Sequence, residues 1–344
     1  MTGERTALIV GASRPESLET SYARALGKLG WSIERWNPRE ALRRAVRGGR
    51  LGAALATFVH VEPWVRKANV ELLQAVERLR PRLVLIIATS GVRAGTLAQC
   101  RVLSPESRIY MIYPDSPHGM DADRIACLRA CHRVAASTRP WARALLGLGA
   151  PRTHFVPFAA DTALYDSARA PAQASRRWDV GFIGTWRPER EEALERFSDF
   201  RLAVWGGKYW SRRTNPGGSV RGNWRGHELI GEEVVRACAE TRVMLNILDP
   251  ITWPGPNMRS FELPACRAFV LSQRTPEILE FFREGEEIEC FDSLDEARDK
   301  ARHYLSNDAA RERIAARGYE RVVNGGETYA DRAQTILGWL AEDA

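Results

Sequence analysis

The chain has 344 residues, 44% hydrophobic and 27% charged, with a formal net charge of +7 at pH 7. That length exceeds one ordinary hydrophobic core and points to two domains of about 150 residues each. Charge is spread evenly, without repeats or biased segments, which excludes disordered and solenoid architectures. The basic residues are almost all arginine: Lys28, Lys67, Lys208 and Lys300 are the only lysines. The densest basic patch, Arg43, Arg44, Arg47 and Arg50, has no interleaved aromatics. A nucleic-acid partner is therefore disfavoured, and a solvated face or peripheral contact with an anionic membrane is the expectation.

The first apolar run, ALIVGA at 7–12, reads as a buried strand. It is too short for the core of a signal peptide, and no run approaches the roughly 20 apolar residues that span a bilayer, so a cytoplasmic protein is expected. Ser17 to Leu29 has the apolar spacing of an amphipathic helix stopped by Gly30, and WSIERW at 31–36 alternates as a strand, giving a βαβ unit. An apolar segment at Leu51 to Val59 and a helix from Val65 to Leu79 follow. RLVLIIA at 82–88 has the continuous apolar character of a central parallel strand. A helix over Ala94 to Leu103, the strand RIYMIY at 108–113, a helix in ADRIACLRACH, the strand RVAAST, a helix from Pro140 to Leu148 and the short strand RTHFVPF complete a doubly wound parallel sheet. The six cysteines are scattered. Cys127 and Cys131 share a helix face, but no second ligand pair follows at a zinc-like distance, so reduced structural thiols and no metal are expected.

These elements place a first domain at 1–165 and a polar, alanine-rich linker at 166–178. The pattern restarts with DVGFIGT at 179–185, then a helix from Glu189 to Phe197, the strand RLAVWG at 201–206, a glycine- and tryptophan-rich loop, a helix from Gly231 to Glu240 and the strand VMLNIL at 243–248. Asn257 to Ser272, NMRSFELPACRAFVLS, predicts a short helix feeding a buried strand. A helix from Pro276 to Arg283, the strand EIECF and further helices close a second domain at 179–325, followed at 326–344 by a C-terminal helix able to pack back on the first. The expected fold is α/β, with two Rossmann-like doubly wound parallel-sheet domains facing each other across a cleft. In such sheets ligands gather at the carboxyl ends of the strands. This chain concentrates polar, aromatic and glycine residues there, in Pro114 to Gly119, Gly184 to Arg190, Gly206 to Trp210 and Asn246 to Arg259. Neither GASRPE nor GTWRPE carries the G-x-G-x-x-G fingerprint, and there is no P-loop, so a nicotinamide or flavin cofactor is disfavoured.

The segments DVGFIGTWRPEREEAL, MLNI, NMRSFELPACRAFVLSQRTPEILEFFREGEEIECFDSLDE and RERIAARGYERVVNGGETYADRA resemble the C-terminal half of the CgeB-like spore-maturation proteins, a branch of the group 1 glycosyltransferases. YPDSPHG and VPFAAD resemble the same branch. The resemblance implies a GT-B fold, a nucleotide-sugar donor held mainly by the second domain, a glycan, lipid-linked or protein acceptor held mainly by the first, and no metal or further cofactor. It places Glu262 where the group's glutamate accepts hydrogen bonds from the donor's ribose hydroxyls. The residues alone also allow an exposed helix-start glutamate favoured by the helix dipole.

Asn257 and Arg259 precede Glu262 on the same loop, and Asn246 closes the strand before them. Arg259 is the first candidate to offset the charge of a departing diphosphate. On the group's pattern G-R-x-x-x-x-K-G, Gly184 falls on the glycine, Thr185 on the arginine and Arg190 on the lysine, with Arg187 available as a substitute; a solvated first-turn residue is the alternative for Arg190. Two positions depart from the group. Pro254 stands where a second glutamate contacts the transferred sugar, and Arg267 stands where a glycine usually follows, either crowding a tight turn or reaching towards phosphate. On the acceptor side, Asp115 or His118 is placed to orient the acceptor hydroxyl or the donor sugar, although turn chemistry also explains an aspartate between prolines. Trp186, Trp205, Trp210, Trp224 and Trp253 fall on predicted loops, as stacking faces or as packing. The expected function is retaining, metal-independent sugar transfer. The alternatives are a GT-B nucleotide-sugar epimerase, for whose carboxylate pairs Asp115 is the one first-domain candidate, and a non-catalytic nucleotide-sugar-binding or coat-assembly protein, favoured by Pro254.

Overall fold

The computed structural model describes residues 5–46, 61–87, 91–165, 175–250 and 252–343. The apolar segment at 51–59 and most of the linker, 166–174, lie outside the described residues. The chain forms two compact units, Met1–Pro157 with Tyr329–Ala344, and Phe158–Thr328.

The first unit is built on six parallel strands, β1 (Thr6–Val10), β2 (Ser32–Trp36), β3 (Leu83–Ile87), β4 (Arg108–Tyr113), β5 (Arg133–Ala136) and β6 (Thr153–Phe155), in the order β2-β1-β3-β4-β5-β6. Its helices are α1 (Leu18–Lys28), α2 (Pro38–Ala45), α3 (Glu62–Leu79), α4 (Ala94–Leu103), α5 (Ala122–Ala130) and α6 (Arg139–Gly147). Alternate strand residues point to opposite faces. Leu8, Val10, Val84, Ile86, Ile109 and Val134 join Leu72, Val76, Leu97 and Leu128 in one core layer. The opposite face is covered by α1 and by the last helix of the chain, Tyr329–Glu342: Tyr22 meets Tyr329 at 5.3 Å between ring centroids, and Tyr110 meets Trp339 at 5.7 Å. Local chemistry sets the helix starts. Ser17 and Thr138 accept from Thr20 N and Trp141 N, and proline stands in the first turn of α2, α3 and α6, where its missing N–H costs nothing.

The second unit has five parallel strands, β7 (Trp178–Ile183), β8 (Leu202–Trp205), β9 (Thr241–Asn246), β10 (Val270–Gln273) and β11 (Glu289–Phe291), in the order β11-β10-β9-β7-β8. Its helices are α7 (Pro188–Glu195), α8 (Tyr209–Arg213), α9 (Ser219–Asn223), α10 (Glu232–Glu240), α11 (Arg259–Ala265), α12 (Pro276–Phe281), α13 (Leu294–Leu305) and α14 (Asp308–Val323), and the chain's last helix, in the first unit, is α15. Phe182, Val204, Leu245 and Leu271 form one core layer with Leu194, Phe197 and Ala297. Gly181 lets the other face close up, because a Cβ there would lie 2.9 Å from Met244 Sδ.

The glycine- and tryptophan-rich segment holds the two short helices α8 and α9. Trp205 lies in β8, and Trp210 is fully buried, edge-on to Phe182 at 6.0 Å, with its indole N–H donating to Gly184 O at 2.8 Å. Trp224 likewise donates to Gly206 O at 2.9 Å. These indoles pack the core and hold loop carbonyls. Trp253, 47% exposed, is the open face among the five.

Candidate functional site

In a parallel sheet every strand delivers its outgoing loop to the same edge, so the segments after β7, β8, β9 and β10 share one edge of the second unit. Glycines let the first two approach closely: a Cβ at Gly184 would lie 2.7 Å from the Phe182 ring, and one at Gly206 would lie 2.1 Å from Gly184 O.

Arg190 stands in the first turn of α7, yet it turns inward and is only 6% exposed. Its Nε and Nη2 donate to Ile247 O at 3.1 and 3.0 Å. Its Nη1 donates to the carbonyl and hydroxyl oxygens of Thr185 at 3.1 and 3.0 Å. The guanidinium carbon lies 5.5 Å from the Phe182 ring centroid, and Nη1 lies 3.6 Å from Asp249. A planar fork of donors thus ties the loop after β7 to the end of β9. Burial pushes the Arg190 pKa down, and the Asp249 carboxylate works against that shift. Arg187, more open, donates Nε to the same carboxylate at 2.9 Å. The solvated alternative for Arg190 is thereby corrected: the outward residue of the two is Arg187.

Asn246 closes β9 opposite Ser272 of β10. Its Nδ2 donates to Ser260 Oγ and Ser272 Oγ at 3.0 and 3.1 Å, and its Oδ1 accepts from Asn257 Nδ2 at 3.0 Å. Asn257 Oδ1 accepts from the amide and hydroxyl of Ser260, at 3.0 and 3.1 Å, which satisfies an amide at the start of α11. Asn246 is 2% exposed and is spent on this network. Asn257 is the more open member.

α11 then presents Arg259 and Glu262 three residues apart, on one face. Glu262 is 1% exposed, forms an ion pair with Arg259 and is hydrogen-bonded by Tyr165. Burial raises the Glu262 pKa above the usual carboxylate range, with Arg259 and Tyr165 offsetting part of the rise. For Arg259 burial works downward, and Glu262 with Tyr165 more than reverses it. The fold therefore builds a buried, partnered carboxylate, and the exposed helix-start alternative does not hold. Arg267 closes α11 in the left-handed region at φ 58°, donating its amide to Pro264 O at 2.8 Å, while its guanidinium lies over the Tyr319 ring at 5.3 Å. It packs on α14 and is occupied there.

In the first unit, Asp115 and His118 are both exposed on the loop that leaves β4. Ser137 Oγ donates to Pro114 O at 2.6 Å, His118 N donates to Ser116 Oγ at 3.2 Å, and the His118 ring stands edge-on to Trp141 at 5.4 Å. Among the described residues no group of three or more His, Cys, Asp or Glu side chains is arranged to hold a metal ion.

Two members of the second-unit site escape sequence reasoning. Asp249, which gathers Arg187 and Arg190, had a usable signal as the first acidic residue after the apolar strand VMLNIL. Tyr165 had none, because it reaches α11 from a segment far away in the chain.

Residues 187–338 match the family profile described as glycosyl transferase-like. Solved structures similar over nearly the whole chain include HepE of Anabaena in complex with UDP and glucose (12% identity, 98% of this chain and 100% of that one, TM-score 0.64). Sucrose-phosphate synthase of Thermosynechococcus elongatus (13%, 99% and 100%, 0.64) and a glycosyltransferase of Rickettsia africae (10%, 98% and 98%, 0.68) are also similar. The fold is GT-B. No curated protein sequence matches. Asn246, Asn257, Arg259 and Glu262 fall inside the stretch that the profile matches, as do Arg187 and Arg190 at its start.

Proposed function

We propose that the protein transfers a sugar from a nucleoside-diphosphate-sugar donor to a glycan, lipid-linked or protein acceptor, with retention of configuration and without a metal. The observation that carries this reading is the pairing of a buried carboxylate, Glu262, with Arg259, together with Arg187 and Arg190 gathered on Asp249, at the carboxyl edge of the second sheet. HepE structures contain UDP, UDP with glucose or UDP-glucose, and a TarM variant structure contains UDP with an α-GlcNAc-glycerol, which supports a nucleotide-sugar donor and a hydroxyl-bearing acceptor. Within group 1 we assign the chain to the CgeB-like branch on the segments quoted above.

In this reading donor binding exchanges the Arg259–Glu262 ion pair for two sets of contacts. Ribose hydroxyls donate to the Glu262 carboxylate in place of Arg259, each such charge-assisted bond being worth about 1.5–3 kcal/mol. The released Arg259 guanidinium turns to the diphosphate and, with Arg187, stabilises the charge that grows on it as the glycosidic bond breaks. Arg190 keeps its bonds to Ile247 and Thr185 and positions Asp249 and the loop. Asp115 and His118 are assigned to the acceptor hydroxyl. Pro254 leaves the transferred sugar without the group's second carboxylate, so sugar recognition falls to other contacts. The test is release of UDP from UDP-glucose and related donors, with the anomeric configuration of the product read by NMR. Inversion overturns the retaining assignment, and absence of turnover with any donor overturns the enzyme reading in favour of a binding protein.

A further inference from the structure

The first unit has a polar recess, a cavity of about 740 Å³ whose lining includes Arg101, Arg108, Arg129, His132 and Arg152. It lies where β4 and β5 begin, at Arg108 and Arg133, which in a parallel sheet is the edge opposite the loop carrying Asp115 and His118. Its two carboxylates are already neutralised. Asp343 accepts from Arg133 at 2.6 and 2.9 Å and from Arg152 at 3.0 Å, and Glu342 pairs with Arg133 at 2.8 Å. Two guanidiniums thus offset two carboxylates.

The other three arginines meet only carbonyl oxygens among the described residues. Arg108 donates to Asp343 O at 2.6 and 2.9 Å and to Pro105 O at 3.1 Å, Arg129 to Leu148 O at 3.2 Å and Arg101 to Ala130 O at 3.4 Å. His132 Nδ1 accepts from Ile109 N at 2.9 Å, which leaves the ring proton on Nε2 as a further donor. Burial first, then Arg101 and Arg108, holds His132 below its ordinary pKa and so neutral. We propose that this recess binds a phosphate-bearing anion, recognised by the guanidiniums of Arg101, Arg108 and Arg129. Guanidinium forks match phosphate oxygens in pairs, and three guanidiniums that line one recess and meet no carboxylate among the described residues favour a multiply charged group over a single carboxylate.

The same chemistry is offered by a soluble phosphate and by a phospholipid headgroup at a membrane surface. Inorganic pyrophosphate is titrated calorimetrically into the full chain, and vesicles of phosphatidylglycerol or of phosphatidylcholine are tested by co-sedimentation. Each arm uses the wild type, the double variant Arg101→Gln with Arg129→Gln, and Arg187→Ala as a control in the other unit. Both altered residues in the double variant are exposed, so its fold should be retained, and circular dichroism checks this. The expected result is saturable binding of pyrophosphate, of phosphatidylglycerol vesicles or of both, weakened at least tenfold in the double variant and kept in Arg187→Ala. Loss in the double variant for pyrophosphate identifies a soluble anion, and loss for the vesicles alone identifies the lipid. Binding equal in wild type and double variant, binding lost only in Arg187→Ala, or no binding of either probe overturns the proposal.

Discussion

Arg259 and Glu262 form an ion pair three residues apart on α11, and Tyr165, from outside the profile-matched residues 187–338, hydrogen-bonds to Glu262. The pair satisfies a carboxylate that is almost wholly removed from solvent, and a buried ion without partners is far more costly than one with them. Its members are the two residues the proposed reaction needs most.

The first prediction concerns protonation. Burial raises the Glu262 pKa, so the carboxyl takes up its proton at a higher pH than an ordinary glutamate, near 4.3. Only the ionised form accepts from both ribose hydroxyls. UDP affinity measured across mildly acidic pH should fall as pH drops, beginning above the ordinary glutamate range, and the fall should be absent in Glu262→Gln. Parallel pH profiles for wild type and variant would refute the ribose role.

Arg190 should matter for the fold before it matters for chemistry. Arg190→Ala strips partners from Ile247 O and Thr185. The expected cost is about 3 kcal/mol, since each buried group left unsatisfied costs roughly 1–3 kcal/mol. Arg190→Lys should recover little, because one ammonium cannot reproduce the fork. Urea unfolding monitored by tryptophan fluorescence checks both, and a loss below 1 kcal/mol contradicts the positioning role.

The pKa of Asp343 is shifted in the opposite direction to that of Glu262. Hydrogen bonding from Arg133, the largest cause, with Tyr110 and the charges of Arg133 and Arg152, lowers its pKa from 3.8 to about 2. A depressed folded-state pKa contributes stability that is fully present above the unfolded value, near 3.9, and is lost as pH falls towards 2. Asp343→Asn should therefore destabilise the first unit by on the order of 2 kcal/mol at pH 7. The gap should narrow between pH 4 and pH 2 in thermal melts. A gap that stays constant down to pH 2 would point to packing alone.

Arg267 offers a gain. It holds the left-handed conformation at the end of α11, at φ 58°, where glycine has no steric penalty. Arg267→Gly should be neutral to stabilising by up to about 1 kcal/mol, the loss of the stack on Tyr319 offsetting part of the relief. A melting temperature lowered by several degrees would show that the stack dominates.

The legibility of these features follows their range in the chain. β3 was readable because a strand covered on both faces is apolar at every position, β7 and β9 because each carries an apolar run at its centre, and α1 because its cap, spacing and stop are all local. Glu262 and Arg259 were readable as charges at a helix start feeding a buried strand. Their burial was not, because it depends on Tyr165 and on the Asn246 network, contacts that no local spacing encodes. For the same reason the sequence leaves Arg190 open between a site residue and a solvated first-turn residue: its acceptor, Ile247 O, lies 57 positions away. Trp205 and Trp210 sat in a segment rich in turn residues, and only the packed sheet shows that they fill the core beneath the loops.

The most direct test of the account is thermal stability of the wild type and of Glu262→Gln with UDP, GDP, dTDP, CMP and ADP. A nucleotide present at about 100 times its dissociation constant should add about 2.7 kcal/mol of stability to the wild type. The account predicts such a shift for at least one nucleoside diphosphate, lost in Glu262→Gln. A shift of equal size in the variant, or none with any nucleotide, would contradict it.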